Sequence, residues 1–153
     1  MNYLEAPTEY DADGRAVFLA GGITDAENWQ SDLIESLQGV DATVLNPRRK
    51  EFPMNDESAG LQQIEWEHRH LAKADLIAFW FPPQTLCPIA LFELGACCAS
   101  SVPLVVGTSP EYARRFDVVT QLRLLRPEVN VHDSLEELQL AIMEHPLFEE
   151  SLR

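Results

Sequence analysis

Short apolar runs alternate with helix-period segments along most of this chain, and that alternation restricts the fold more than any other feature of the sequence. Residues 15–20, 41–45, 74–81, 102–106 and 129–131 each read as a strand, being brief runs rich in Val, Ile, Leu and aromatic residues. Gly21-Gly22, Asn46-Pro47, Pro82-Pro83 and Gly107 break the first four. Between them, apolar residues recur three and four apart. Trp29, Leu33 and Leu37 outline one helix, with Thr24 or Asp25 as its cap. Further helices are predicted over about Leu61–Ala72, from Pro88 to about Ser100, and near Val118–Leu125. Ser134-Leu135-Glu136-Glu137 opens the last as a capping box. Strands joined through helices pair in parallel, and a parallel sheet needs helices on both faces.

The predicted fold is therefore α/β: a single-domain, flavodoxin-like three-layer sandwich around a five-stranded parallel sheet of order 2-1-3-4-5. The domain is expected over residues 15–153, after a flexible polar arm at 1–14. With 153 residues and 46% hydrophobic content, the chain can fill one core. Its net charge of −14 repels polyanions, so a nucleic acid polymer is not an expected partner. A small nucleoside or nucleotide needs only a local pocket. No apolar run is long enough for a bilayer, so no membrane partner is expected. The first ten residues have neither the basic nor the apolar region of a signal peptide. Cys87, Cys97 and Cys98 are odd in number and two are adjacent, which suits a reducing cytoplasm.

In such sheets ligands bind beyond the carboxyl ends of the strands. Gly21-Gly22, Asn46-Pro47-Arg48-Arg49 and the Pro82–Pro88 loop all leave such ends and should converge on one crevice. Behind it stands Glu93, the one charged side chain between Asp75 and Glu111. A carboxylate in apolar surroundings is costly to bury unpaired. Glu93 falls in the first two turns of its predicted helix, where the dipole favours the ionised form. An ionised, poorly solvated carboxylate is a competent nucleophile. A capping or ion-paired glutamate is the competing reading, and no basic residue nearby in sequence supports it.

Glu67 shares a stripe with Ile64 and Leu71, which turns it toward the core, while Glu65 and Arg69 can pair on another face. The alternative for Glu67 is a stripe-edge side chain whose head reaches water. Asp75, at a helix–strand turn, reads as a turn former. Gly21-Gly22 would let backbone approach a ligand and free amides to bind it. Arg48 and Arg49 could hold a phosphate or pair with crevice acids. Trp29 and Trp66 could stack a base, and Trp80, inside a buried strand, reads as core. His68 and His70 point to different faces of one helix and Cys97-Cys98 lacks CxxC spacing, so no metal site is predicted.

The chain resembles the nucleoside 2-deoxyribosyltransferase-like family, in its branch with an Asn-Pro-Arg-Arg motif. The matching pieces are Val17–Ile23 with Trp29, Asn46–Arg49, Gln63–Glu67, Ala74–Ile77 and Cys87–Gly95. The resemblance implies an oligomer, expected to be a dimer or larger, needing no cofactor. It implies that Glu93 attacks C1′ of a 2-deoxyribose and that Glu67 handles the leaving base. Gly21, Gly22, Trp29, Asn46, Arg48, Cys87 and Phe18 are the expected substrate-binding residues. Phe18 stands where the best-known branch has Tyr, and Cys87 where that branch has Asp and related nucleotide hydrolases have Ser. The expected function is transfer of 2-deoxyribose between bases through a glycosyl-Glu93 intermediate. The alternatives are hydrolysis of deoxynucleoside 5′-monophosphates and an inactive nucleotide-binding module.

Overall fold

Each central strand is apolar at every position, so it must be covered on both faces. The computed structural model, which describes residues 1–148, shows how this is achieved. In chain order the elements are β1 (Asn2–Glu5), β2 (Ala16–Gly21), α1 (Trp29–Ser36), β3 (Thr43–Asn46), α2 (Glu57–Lys73) and β4 (Leu76–Phe81). They continue with α3 (Pro88–Cys98), β5 (Leu104–Thr108), α4 (Arg115–Leu125), β6 (Val131–His132) and α5 (Leu135–Met143). Val17, Leu19, Leu76, Ala78 and Trp80 pack against Trp29 and Leu33 of α1 and Leu138 and Ile142 of α5. The alternate residues Phe18, Ala20, Ile77, Phe79 and Phe81 pack against Trp66 of α2, Ala90 and Leu94 of α3, and Val118 and Leu122 of α4. The result is the expected three-layer sandwich.

The sheet is parallel throughout, with order β1-β3-β2-β4-β5-β6. The five predicted strands keep their predicted order, but the sheet has six strands rather than five. The extra strand comes from the segment expected to be a loose arm. Asn2–Glu5 pairs with Thr43–Asn46 in register and covers what would have been an open edge. The arm stays attached beyond it. Ala6 N donates to Asn46 O, the Trp66 indole donates to Thr8 O, and Tyr10 N donates to His70 Nε2. The last five residues of the expected domain, 149–153, lie outside the described residues.

Two helices differ from expectation in ways that matter for the site. α1 begins at Trp29, capped by Asn28, whose side chain accepts from Ser31 N; Thr24 and Asp25 precede the helix. α2 begins at Glu57 under an Asp56 cap and buries Ala59, Trp66 and His70. The predicted stripe is therefore rotated, and Ile64 is 66% exposed. Trp66 and His70 determine this rotation by stacking at 4.0 Å, with Trp66 also meeting Phe18 at 6.0 Å. Burial of His70 is tolerated because both ring nitrogens are hydrogen-bonded, to Trp66 O and Tyr10 N. Arg69 bonds Glu9 of the arm rather than Glu65. α3 follows Cys87, which sits at φ 51° and makes no side-chain capping bond. α5 opens as predicted, with Ser134 Oγ accepting from Glu137 N at 3.1 Å. Both α2 and α3 pack on β2 from the same side of the sheet.

Candidate active site

Ala90, Leu94 and Cys97 anchor α3 to the sheet. Glu93, between them in the second helical turn, is drawn into partial burial on the side toward α2. Among the described residues it has no hydrogen bond and no ion pair. Burial, reinforced by the negative charge of Glu67, pushes its carboxyl up to about 8. The group expected to be ionised thus carries a proton at neutral pH. The helix dipole does not prevent this, because its influence fades beyond the first turn.

Glu67 is raised too, by burial, but two neighbours oppose the rise: a hydrogen bond from Gln63 and the positive charge of Arg49. Gln63 Nε2 donates to Glu67 at 2.8 Å and to Pro47 O at 2.7 Å, so it ties the Asn46–Arg49 loop to the carboxylate. Two coupled carboxyls whose surroundings differ share protons unequally. Here Glu67 is better stabilised as the anion and Glu93 as the acid. The two predicted carboxylates are brought close enough to interact, and Glu93, expected to be ionised, is the one biased toward its acid form. Gln63 was absent from the predicted site, although its i,i+4 spacing from Glu67 was a readable signal.

The two arginines of the loop divide their work. Arg48 donates to Ala26 O at 2.9 Å, to Glu27 O at 2.6 Å and to Gln30 Oε1 at 3.1 Å. It fastens the loop before α1 and has little left for a ligand. Burial lowers its pKa. Arg49 donates to Gln62 Oε1 at 3.0 Å and lies over the Phe52 ring at 5.3 Å, with its Nε buried and unpartnered. Asn46 is buried, accepting from Arg48 N and donating to Tyr3 Oη, which shapes the loop.

The glycine pair serves packing. A Cβ on Gly21 would stand 2.1 Å from Trp80 O, and one on Gly22 would meet Pro82 at 2.7 Å and the Cys87 sulfur at 2.9 Å. Gly22 N is not free as expected; it bonds Trp80 O at 3.4 Å. Gly22 O accepts from the Trp29 indole and Gln30 Nε2. Trp29 is 1% exposed and Phe18 is fully buried, so both underlie the site rather than line it. Trp80 is core, as read from the sequence, and so is Trp66. Cys87 is buried at the entrance to α3, and its thiol is pushed up to about 11 by burial, hence neutral. Asp75 accepts from Ala16 N at 2.8 Å and so ties the start of β2 to the segment before β4, a long-range bond rather than the local turn read from the sequence.

Two surface depressions, one lined by Tyr10, Gly14, Lys73 and Asp75 and the other by Pro103, Arg126 and His145, lie at the amino ends of the strands. Neither contains Glu67 or Glu93, so the carboxylate pair, rather than either depression, marks the candidate site. No helix among the described residues is long and apolar enough to cross a membrane.

No curated protein matches the chain. Residues 14–112, which include β2 through α3 and every residue of the site, match the family described as nucleoside 2-deoxyribosyltransferase like. The match spans more than half of the sequence, and the chain belongs to the nucleoside 2-deoxyribosyltransferase-like family.

Proposed function

We propose that the protein cleaves the N-glycosidic bond of 2′-deoxynucleosides and transfers the sugar to a second base through a covalent ester on Glu93. The observation that carries this reading is the coupling of two half-buried carboxyls, Glu93 and Glu67, in unequal surroundings. Such a pair favours retaining a proton, more readily on Glu93 than on Glu67, and the reaction needs one. Glu93 passes its proton to Glu67 and attacks C1′. The bond from C1′ to the base nitrogen breaks, and its electron pair stays on that nitrogen. Glu67 delivers the proton there and returns to the carboxylate. The incoming base then attacks C1′, the C1′–O bond of the ester breaks with its electron pair returning to the Glu93 carboxylate, and the base gives its proton to Glu67, with net retention.

The active form is the singly protonated pair, so kcat/KM should follow a bell in pH. Its alkaline limb should lie near 8, where Glu93 loses the proton the base requires. A profile that keeps rising well above pH 9 would exclude this proton route. Incubation with deoxyinosine and adenine tests the reaction itself. Deoxyadenosine is the expected product. Free deoxyribose without deoxyadenosine would assign hydrolysis, and the absence of both would leave a binding module.

Assembly belongs to the same reading. Ile64 of α2 and Ile89 and Phe92 of α3 are exposed apolar side chains flanking the carboxylates. A second copy covering them would also shield the pair from water. Sedimentation should give a dimer or larger at micromolar concentration, and Phe92→Asp should weaken it. A fully active monomer would contradict this.

A further inference from the structure

We infer that Arg49 is the electrophilic group of the base subsite: it faces the departing base and takes up the negative charge that bond cleavage sends there. This rests on the glycosidic reading above and adds a residue to it. Three observations carry it. The first is availability. Arg48, its neighbour, is consumed by two carbonyls and a side-chain amide, whereas Arg49 has one neutral partner, Gln62, and no ion pair among the described residues. A cation with no carboxylate in direct contact among the described residues, only the nearby charge of Glu67, is well placed to meet a transient anion.

The second is position. Gln63 ties the loop that carries Arg49 to Glu67, the acid on the base side. The Phe52 ring lies 5.3 Å from the guanidinium carbon and helps hold it in place. The third is asymmetry. Arg49 acts electrostatically on Glu67, while the influences resolved at Glu93 are burial and Glu67 alone.

That asymmetry has a consequence for rate. Once the proton has moved to Glu67, the negative charge starts on Glu93. Formation of the Glu93–C1′ bond neutralises it there. The electron pair of the broken bond puts charge on the base nitrogen, and proton delivery leaves it on Glu67. Charge therefore travels from the carboxyl on which Arg49 has no resolved effect to the region it does influence. Measured from the proton-shifted form, in which Glu93 carries the charge, a fixed cation at the arrival end is bound more strongly by the transition state than by the state that precedes it, which is the condition for accelerating that step.

The test is the dependence of kcat on leaving-group acidity, using a series of 2′-deoxynucleosides from deoxyuridine to 5-fluoro-2′-deoxyuridine and purine counterparts. Arg49→Gln should lose on the order of 100-fold with the least acidic base. With the most acidic base the loss should fall to a few-fold, since little stabilisation is then required. Arg49→Lys keeps the charge and should keep the parent's slope. Arg48→Gln should lower thermal stability and leave the slope unchanged. A uniform loss across the series in Arg49→Gln, a Lys variant with a steepened slope, or no loss at all would overturn the inference while leaving the glycosidic reading intact. A parent protein that cleaves no member of the series would remove both.

Discussion

Glu93→Gln should abolish sugar transfer and at the same time make the protein more stable at neutral and alkaline pH. The first effect follows from loss of the nucleophile and should be on the order of 10³-fold or more in kcat. The second follows from linkage. In the folded chain Glu93 titrates at about 8, against an ordinary 4.5 when exposed. Between these values the native state holds a proton that the unfolded state has released. Stability therefore falls as pH rises from about 4.5 to about 8 and is level above that. The amide cannot ionise, so the variant escapes the loss. At about 1.4 kcal/mol per pH unit, and allowing for relaxation and an imperfectly matched amide, the gain should be about 2–4 kcal/mol at pH 8. It should vanish near pH 4, where both side chains are neutral. Urea unfolding at the two pH values measures it. A variant no more stable than its parent at pH 8 would mean that Glu93 is already comfortably solvated or paired.

Gly21→Ala should be the most damaging small substitution at the site, although it removes no reactive group. Gly21 has φ +148°, a backbone state that L side chains rarely adopt, and the new Cβ would lie 2.1 Å from Trp80 O. Trp80 O also accepts from Gly22 N, and the Trp29 ring stands on the other side, so no flexible group is free to yield. Backbone strain of about 1–3 kcal/mol and overpacking of similar size together should lower the melting temperature by roughly 10 °C. Unchanged melting would show that β2 can shift at its carboxyl end. By contrast Gly95→Ala, on α3 with open space at the Cβ position, should be neutral or slightly stabilising.

The strand order and the layer assignment were legible in the sequence because they depend on local signals. Apolar runs such as Leu76–Phe81 read as doubly covered strands, and Pro88 and Ser134 mark helix starts by their own chemistry. What was not legible depends on distant partners. Asn2–Glu5 is short and polar, and only the edge presented by β3 makes it a strand. The α2 stripe was misjudged because Trp66 and His70 bury together only when Tyr10 arrives from the arm to satisfy the imidazole. Glu93 and Glu67 were legible as candidate reactive carboxyls. Their protonation was not, since it depends on Gln63 and Arg49 standing beside one carboxyl and not the other. Arg48 and Arg49 look equivalent in sequence. The structure separates them by what surrounds each: backbone carbonyls for Arg48, and a neutral amide and an aromatic ring for Arg49.

The glycosyl-Glu93 ester can be sought directly. The protein is incubated with a 2′-deoxynucleoside without acceptor base, quenched in acid, digested, and its peptides are weighed by mass spectrometry. One added deoxyribosyl group should appear on the peptide carrying Glu93, should disappear when adenine is added before the quench, and should be absent from Glu93→Gln. Turnover without an adduct, or an adduct on another residue that persists in Glu93→Gln, would contradict Glu93 as the nucleophile.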